Sequence, residues 1–351
     1  MTMPDKALLL PAAPPVLTPA QLRLLRGVSR SFYLSIRLLP GPLRGPIAIG
    51  YLLARATDTV ADTTTQTAAR RLALLDSLQH AIDTPQDQPQ LVQALQAFAR
   101  QVPDAHEKAL LERGQACLDA LQRQPEADQV VIRQVLAAII EGQRWDLRML
   151  DDPQRGVQTS AEVDRYTWQV AGSVGEFWTR MCELHLHNWH TGTRAELLLW
   201  GAHYGKGLQR LNILRDAGTD LAAGRCYLPE ARLSALGLSP EQLMQAASMG
   251  DTATLQQLTP LWDDYLKQTH AQLGEGVLYS QSLTIRRLRL ASTLPALIGA
   301  RTVALLRQTG PQALAQRVKM PRHEIRALLW RCLCRWASAN ALGREFQRLS
   351  Q

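Results

Sequence analysis

Residues 51–62 read Tyr-Leu-Leu-Ala-Arg-Ala-Thr-Asp-Thr-Val-Ala-Asp, and they follow an apolar run from Ile47 to Leu53 that predicts a buried helix. Asp58 and Asp62 are four residues apart, so a helix places them one turn apart, about 6 Å along its axis. Arg55 lies one turn before Asp58, and Tyr51 lies one turn before Arg55. The stretch therefore predicts an apolar helix that carries one polar stripe.

A second stretch, residues 209–225, repeats this pattern as Gln-Arg-Leu-Asn-Ile-Leu-Arg-Asp-Ala-Gly-Thr-Asp-Leu-Ala-Ala-Gly-Arg. Steps of three, four and four residues place Gln209, Asn212, Asp216 and Asp220 on one face of a helix. Gly224 predicts the end of that helix, and the chain is expected to run on extended to Pro229.

Like charges four residues apart on a helix repel each other by a few tenths of a kcal/mol, so packing alone does not favour either aspartate pair. One such pair is usually a solvated face, but two pairs in apolar helices indicate chemistry. Carboxylate oxygens are hard ligands that suit Mg²⁺, which takes phosphate oxygens as further ligands. Two facing carboxylate helices could hold Mg²⁺ around a diphosphate, with Arg55, Arg215 and Arg225 as forked donors.

The rest of the chain predicts an all-α protein. Apolar residues recur at helical spacing through most of the sequence, and alternating strand patterns are nearly absent. We expect a single large helical domain over residues 19–351 and a disordered arm over residues 1–18. The main predicted helices are 69–81, 90–102, 106–123, 128–150, 193–215 and 255–280.

Composition excludes several classes of protein. The 39 Lys and Arg residues exceed the 31 Asp and Glu residues by 8, yet no basic run of nucleic-acid type is present, and aromatic residues are only 5 %. Five scattered cysteines indicate a reducing compartment. The apolar segment 291–301 is interrupted by Pro295 and ends at Arg301, so no transmembrane helix is expected. Metal binding by His185, His187 and His190 is not expected either, because a helix points the first two apart.

Four motifs in order, Ser29-Arg30-Ser31-Phe32, 51–62, 166–175 (YTWQVAGSVG) and 208–229, give the chain its resemblance to a known family. It resembles the squalene and phytoene synthases, which are head-to-head prenyl transferases of the all-α isoprenoid-synthase fold. The resemblance extends from about residue 27 to about residue 340. Segments 142–148 and 172–179 look more like bacterial squalene synthases than like phytoene synthases.

The resemblance implies a role for individual residues. Asp58, Asp62, Asp216 and Asp220 would bind Mg²⁺, and Tyr166 would receive the proton lost when a cyclopropane forms. Gly172 and Gly175 would either allow close helix packing or leave room for a prenyl chain. Substrate contacts would fall on Arg30, Ser31, Phe32, Tyr51, Arg55, Gln209, Asn212, Arg215 and Arg225.

The implied reaction joins two farnesyl diphosphates through presqualene diphosphate, and reduction by NADPH then gives squalene for sterol or hopanoid synthesis. The sequence shows no dinucleotide-binding fingerprint, so it does not indicate where NADPH binds. Ala61 and Gln169 depart from the family pattern, which often has a glutamate and an aromatic residue there. Other readings stay open: a member that stops at presqualene diphosphate or makes dehydrosqualene or phytoene, and a catalytically silent relative that acts as a binding partner.

We expect no nucleic-acid partner, a monomer or weak homo-oligomer, and a cytoplasmic location. Because substrate and product are greasy, peripheral contact with the inner face of the membrane is also expected. Arg286, Arg287 and Arg289 form the densest basic cluster, which could meet NADPH phosphates or an anionic membrane, or simply be solvated.

Overall fold

The computed structural model describes residues 17–29, 32–84, 88–151, 156–335 and 339–351. Within these ranges the chain is helical and contains no strand, with a single isolated bridge between His190 and Leu283. This confirms the predicted all-α class. The predicted disordered arm lies outside the described residues, apart from Leu17 and Thr18. The helices are α1 (Pro19–Val28), α2 (Phe32–Leu38), α3 (Gly41–Asp62), α4 (Ala68–Asp83), α5 (Gln88–Ala99), α6 (Ala105–Glu112), α7 (Gly114–Gln122), α8 (Glu126–Asp151), α9 (Ser160–Thr167), α10 (Ser173–His185), α11 (Arg194–Ala222), α12 (Glu230–Ser234), α13 (Pro240–Met249), α14 (Thr252–Gln257), α15 (Thr259–Ser282), α16 (Arg286–Thr309), α17 (Arg322–Arg335) and α18 (Ala339–Leu349).

The helix boundaries follow local chemistry. The Thr18 side chain accepts the Gln21 amide at the start of α1, and Thr193 accepts the Glu196 amide at the start of α11, each in a reciprocal capping box. After α11 ends, Gly224 has a φ of +78°, which glycine adopts without steric cost. The predicted helix 106–123 is divided into α6 and α7 at Arg113. The predicted helix 255–280 is interrupted at Leu258, between α14 and α15, and Pro260 occupies the first turn of α15.

Two hydrophobic cores lie side by side. The first is formed mainly by α1–α8 and α10, and the second mainly by α9, α11 and α13–α18. Helices α3 and α8 contribute to the first core, while α11 and α15 contribute to the second. The two aspartate stretches therefore belong to different cores.

Helices α10 and α11 approach each other at glycines. A Cβ atom added to Gly175 would overlap the backbone carbonyl of Gly201, and one added to Gly205 would overlap that of Ala171. A Cβ at Gly172 would lie 3.1 Å from the Ala202 carbonyl oxygen. Gly172 and Gly175 thus serve close helix packing, the first of the two roles that the sequence left open.

Helix α16 with the following turn (Arg286–Leu314) is, within the described residues, the one segment long and apolar enough to cross a membrane. Its most apolar window is 61 % buried inside the protein. Ala296, Leu297, Ala300 and Val303 belong to the second core, so packing accounts for its composition.

Candidate active site

A cavity of about 530 Å³ lies between the two cores. Helices α3, α8, α10 and α11 form its walls, together with Tyr166, Val170 and the segment 225–227. Its lining changes along its length from apolar side chains to carboxylates. Such a gradient suits a ligand with a charged head and an apolar tail.

Helix α3 shows this gradient on one face. Ile47, Gly50 and Ala54 line the apolar part, while Asp58 and Asp62 line the acidic part. The sequence predicted a polar stripe of Tyr51, Arg55, Asp58 and Asp62 from its spacing, and all four residues line the cavity.

Two polar side chains of α3 connect this wall to neighbouring helices. The Tyr51 hydroxyl donates to the Val28 carbonyl oxygen at 3.3 Å. The Arg55 guanidinium bridges the carboxylates of Asp58 and Glu107, the latter on α6. Its Nε is buried without a partner. Arg55 therefore has donor capacity left for a ligand oxygen.

Helix α11 supplies the opposite wall. Gln209, Asn212, Asp216 and Asp220 all line the cavity, as the sequence predicted. The Asn212 amide donates to Gln209 Oε1 at 3.4 Å. Arg215 is not among the lining residues, and it instead forks onto Asp216, with Nε donating to Oδ1 at 3.0 Å.

A fifth aspartate, Asp146 on α8, joins the cavity. The Tyr227 hydroxyl donates to Asp146 Oδ1 at 2.5 Å. Arg225 lies between Asp146, at 3.7 Å, and Asp220, at 3.2 Å. Arg225 thus connects α8 to the carboxylate wall of α11.

Tyr166 lies in an aromatic stack next to Asp146. Its ring is 4.9 Å from that of Trp145 and 5.4 Å from that of Tyr227, with an interplanar angle of 13° to the latter. A five-residue π-helix over 168–172 follows Tyr166 and widens the turn. Because of this wider turn, Tyr166, Val170 and Val174, spaced by four, all face the cavity.

The carboxylates of the cavity are held away from bulk water. Burial raises the pKa of Asp58 to about 7, and the neighbouring charge of Asp62 adds to the shift. Burial also raises the pKa of Asp220 to about 6, and those of Asp62 and Asp146 above their usual range, against the lowering effect of Arg225. These carboxylates are therefore costly to ionise without a partner, and a bound cation would stabilise their charged form.

Burial also raises the pKa of Tyr166 well above its usual value, although a hydrogen bond with Tyr227 opposes the shift. Tyr166 is therefore a neutral phenol, and it can accept a proton only by giving up its own. Tyr227, which contacts both Tyr166 and Asp146, lies where that proton would go.

The donors present fit a cation that also takes ligand oxygens. In the described part of the chain, no three His, Cys, Asp or Glu side chains are close enough to hold a metal ion unaided. Each aspartate pair supplies only hard oxygen atoms, so the remaining ligands must come from water or from a phosphate group. This agrees with Mg²⁺ that binds together with a diphosphate.

Three of the predicted substrate contacts cannot be placed. Arg30 and Ser31 lie outside the described residues, and so does the side chain of Phe32, the first residue of α2.

Four residues of the site were not predicted from the sequence: Gln143, Asp146, Glu107 and Tyr227. Gln143 and Asp146 are three residues apart on α8, and both line the cavity. Their spacing on one helix face was the available signal, but Glu141, Arg144 and Arg148 nearby make this part of α8 resemble an ordinary solvated stretch. Glu107 and Tyr227 are recognisable only through their partners in space, Arg55 and Asp146.

An all-α protein with two carboxylate-bearing helices facing one cavity has the architecture of the isoprenoid-synthase fold. The family model for squalene/phytoene synthases matches residues 25–324. The chain belongs to the squalene/phytoene synthase family.

Individual relatives agree with this membership. A presqualene diphosphate synthase from Zymomonas mobilis subsp. mobilis is 25 % identical over 309 residues, which are 87 % of this chain and 88 % of the relative. A bifunctional lycopene cyclase/phytoene synthase from Pyrenophora tritici-repentis is 28 % identical over 66 % of this chain. The chain spans 37 % of the length of that relative. The solved structure of TcSQS with the ligand BPH1237 has the same fold, with a TM-score of 0.74 and 22 % identity over 94 % of this chain and 89 % of that one.

Proposed function

We propose that the protein condenses two prenyl diphosphates head to head, with farnesyl diphosphate as substrate. The observation that carries this proposal is the single cavity in which aspartate pairs from two helices occupy one end and apolar side chains the other. The acidic end suits a metal-bound diphosphate, and the apolar end suits a prenyl chain.

Asp58, Asp62, Asp216 and Asp220 are the residues that would hold Mg²⁺. When bound, Mg²⁺ stabilises the negative charge that develops on a departing diphosphate. Hydrogen-bond donors of the protein would stabilise the same negative charge. Arg55 and Arg225 each have a buried, unpaired Nε, and both line the cavity.

The apolar walls protect the allylic carbocation that forms when the diphosphate departs. Val135, Ile139, Val174 and Phe177 line this part of the cavity, and none of them offers a nucleophile. Exclusion of water is necessary because water would capture the cation and give an alcohol.

Tyr166, Tyr227 and Asp146 provide a path for the proton that is lost when the cyclopropane closes. The Tyr166 phenol takes the proton from carbon as its own proton passes to Tyr227, and the Tyr227 proton passes to the Asp146 carboxylate at 2.5 Å. The raised pKa of Asp146 makes this carboxylate a better acceptor than an ordinary aspartate. This path develops the proton-accepting role that the resemblance implied for Tyr166.

We propose squalene as the final product, after reduction by NADPH. The presqualene diphosphate synthase and phytoene synthase among the relatives support the condensation, and they leave presqualene diphosphate, dehydrosqualene and phytoene as alternative products. No residues are assigned to NADPH. A catalytically silent relative is disfavoured because all four aspartates and Tyr166 line one cavity.

The test is incubation of the purified protein with farnesyl diphosphate and Mg²⁺, with and without NADPH, followed by mass spectrometry of the extract. Squalene formed only with NADPH supports the full proposal. Presqualene diphosphate or dehydrosqualene formed under both conditions replaces the product and keeps the condensation. No product from farnesyl or geranylgeranyl diphosphate contradicts the proposal.

The predicted cytoplasmic location, the peripheral membrane contact and the monomeric or weakly oligomeric state are part of this proposal. They are consistent with a substrate that joins a charged diphosphate to a greasy prenyl chain, and with a hydrocarbon product.

A further inference from the structure

The positive charge of the chain is concentrated near its C-terminus. Residues 286–351 contain 13 Lys and Arg residues against 2 Asp and Glu residues. Residues 1–285 contain 26 Lys and Arg residues against 29 Asp and Glu residues. The positive net charge of the chain therefore comes entirely from the C-terminal part, which carries α16, α17 and α18.

Both acidic residues of this part are paired with arginines. Glu324 Oε2 accepts Arg301 Nε at 2.7 Å, and Glu345 Oε1 lies 2.7 Å from an Arg348 nitrogen. Four exposed cations, by contrast, form no ion pair or side-chain hydrogen bond with any described residue, namely Arg317, Lys319, Arg322 and Arg326. Their charge is therefore available to a partner outside the molecule.

Alternating burial turns the first two of these cations outward. Val318 and Met320 belong to the second core, whereas Arg317 and Lys319 are exposed. Successive side chains of this segment thus point alternately into the core and into solvent. Arg317 and Lys319 lie on the solvent side just before α17 begins.

Helix α17 continues this outer surface. Leu328 is fully buried in the second core, and Arg326 and Trp330 each lie two residues from it, about 200° around the helix. Arg322 lies one turn before Arg326. Arg322, Arg326 and Trp330 therefore form a row about 12 Å long on the face opposite Leu328. The Trp330 side chain is 68 % exposed.

We propose that the basic face, formed by Arg317, Lys319, Arg322, Arg326 and Trp330, binds the surface of an anionic lipid bilayer. Each Lys or Arg near such a surface adds about fivefold to the affinity. A Trp ring is stabilised at the boundary between head groups and acyl chains, where its apolar body and its N–H group both find partners. This inference rests on the proposed function in one respect, since it names the surface and the lipid charge for the proposed membrane contact.

A bilayer fits the basic face better than other partners do. A second copy of the chain would bring like charges together. A nucleic acid would be held by base stacking on several aromatic rings, and Trp330 is the one aromatic side chain of this face. The proposed hydrocarbon product dissolves in acyl chains and not in water, so a bilayer is also where that product would go.

The test measures sedimentation of the full-length protein with vesicles of phosphatidylcholine, with and without phosphatidylglycerol, at low and high salt. The variants are the double substitution Arg322→Ala/Arg326→Ala and the single substitution Trp330→Ala. The matched control is Arg100→Ala/Arg123→Ala, which removes the same charge from two exposed arginines in the first half of the chain.

We expect the wild type to bind the vesicles that contain phosphatidylglycerol, and high salt to weaken this binding. The double variant should lose at least about tenfold in affinity, while the control stays within about twofold. Trp330→Ala should also bind more weakly, with the salt dependence of the wild type retained. Circular dichroism and the unfolding temperature check that each variant is folded.

Absence of wild-type binding to the anionic vesicles would overturn the inference. An equal loss in the control would also overturn it, because net charge and not this face would then govern binding. Tighter binding of the wild type to a DNA duplex or an RNA, lost in Arg322→Ala/Arg326→Ala, would assign the face to nucleic acid instead. Turnover of farnesyl diphosphate is measured separately without vesicles. Absence of a condensation product there contradicts the proposed function, whereas sedimentation still decides the role of the basic face.

Discussion

Replacing Asp146 by asparagine tests the proposed proton path while it preserves the shape of the site. The asparagine carbonyl oxygen can still accept the Tyr227 hydroxyl, whose donor now lies 2.5 Å from Asp146 Oδ1. The variant removes the negative charge and the capacity to take up a proton. It also leaves Arg225 with Asp220, at 3.2 Å, as its remaining partner.

The expected effects on stability and on activity differ in size. A hydrogen bond to a charged acceptor contributes about 1.5–3 kcal/mol to the free energy of unfolding, and one to a neutral acceptor about 0.5–1.5 kcal/mol. The weaker Tyr227 hydrogen bond therefore lowers the free energy of unfolding of the variant by roughly 1 kcal/mol. Burial disfavours the Asp146 charge, as its raised pKa shows, and removal of that charge offsets part of the loss. Loss of a proton acceptor, in contrast, typically costs about 100-fold or more in rate.

The assay combines thermal unfolding, binding of a non-reactive farnesyl thiodiphosphate and the rate of presqualene diphosphate formation. We expect a fall in kcat of about 100-fold, with folding and binding nearly unchanged. Glu141→Gln is the matched control on α8, since among the described residues Glu141 pairs with Arg144 and Arg148 near the surface, at 3.4 and 3.9 Å. This control should stay within about 0.5 kcal/mol of the wild type and keep full activity.

Two results would refute the reasoning. A wild-type kcat in Asp146→Asn would show that the proton leaves by another route. A loss of binding as large as the loss of rate would show that Asp146 organises the site through Arg225 and does not accept a proton.

Four further predictions concern the metal site, the proton acceptor and the helix packing. Asp58→Asn or Asp216→Asn should abolish Mg²⁺-dependent turnover with an unchanged circular dichroism spectrum, and full activity in either would contradict the metal assignment. Because burial raises the pKa of Asp58 to about 7, protons compete with Mg²⁺ below that pH. Titration calorimetry should therefore show weaker Mg²⁺ binding at pH 6 than at pH 8, and equal affinities would contradict the role of Asp58. Tyr166→Phe should block presqualene diphosphate formation in mass spectrometry, and a wild-type rate would place the acceptor elsewhere. Gly175→Ala forces a methyl group into the Gly201 carbonyl, and it should lower the free energy of unfolding by about 1–3 kcal/mol in denaturant titration; a stability equal to that of the wild type would show that the α10–α11 contact can relax.

The sequence predicted those parts of the site that depend on local spacing. An apolar run followed by aspartates at a spacing of four identified the cavity face of α3, and steps of three and four identified that of α11. Helical periodicity is a short-range property, so a single segment contains the whole signal.

The parts that depend on long-range contacts were not accessible in this way. The proposed role of Asp146 depends on its hydrogen bond with Tyr227, which is 81 residues further along the chain. Phe177 could equally have been a core residue, and only the structure shows that it lines the cavity. Arg215 shares a helix with the cavity residues, but one residue of rotation, about 100°, separates it from Asp216. Its guanidinium therefore reaches that carboxylate and does not line the cavity.

Arg55 and Arg225 share an arrangement that would let a carboxylate be released to the proposed metal ion. Arg55 contacts Asp58, a proposed ligand, and also Glu107, which belongs to another helix and does not line the cavity. Arg225 likewise contacts Asp220 and the separate carboxylate of Asp146. If a cation bound the aspartate, as proposed, the second acid would still hold the guanidinium beside the site. The arginine charge would then stay within reach of a diphosphate bound with the metal, and the buried carboxylates would keep a positive partner.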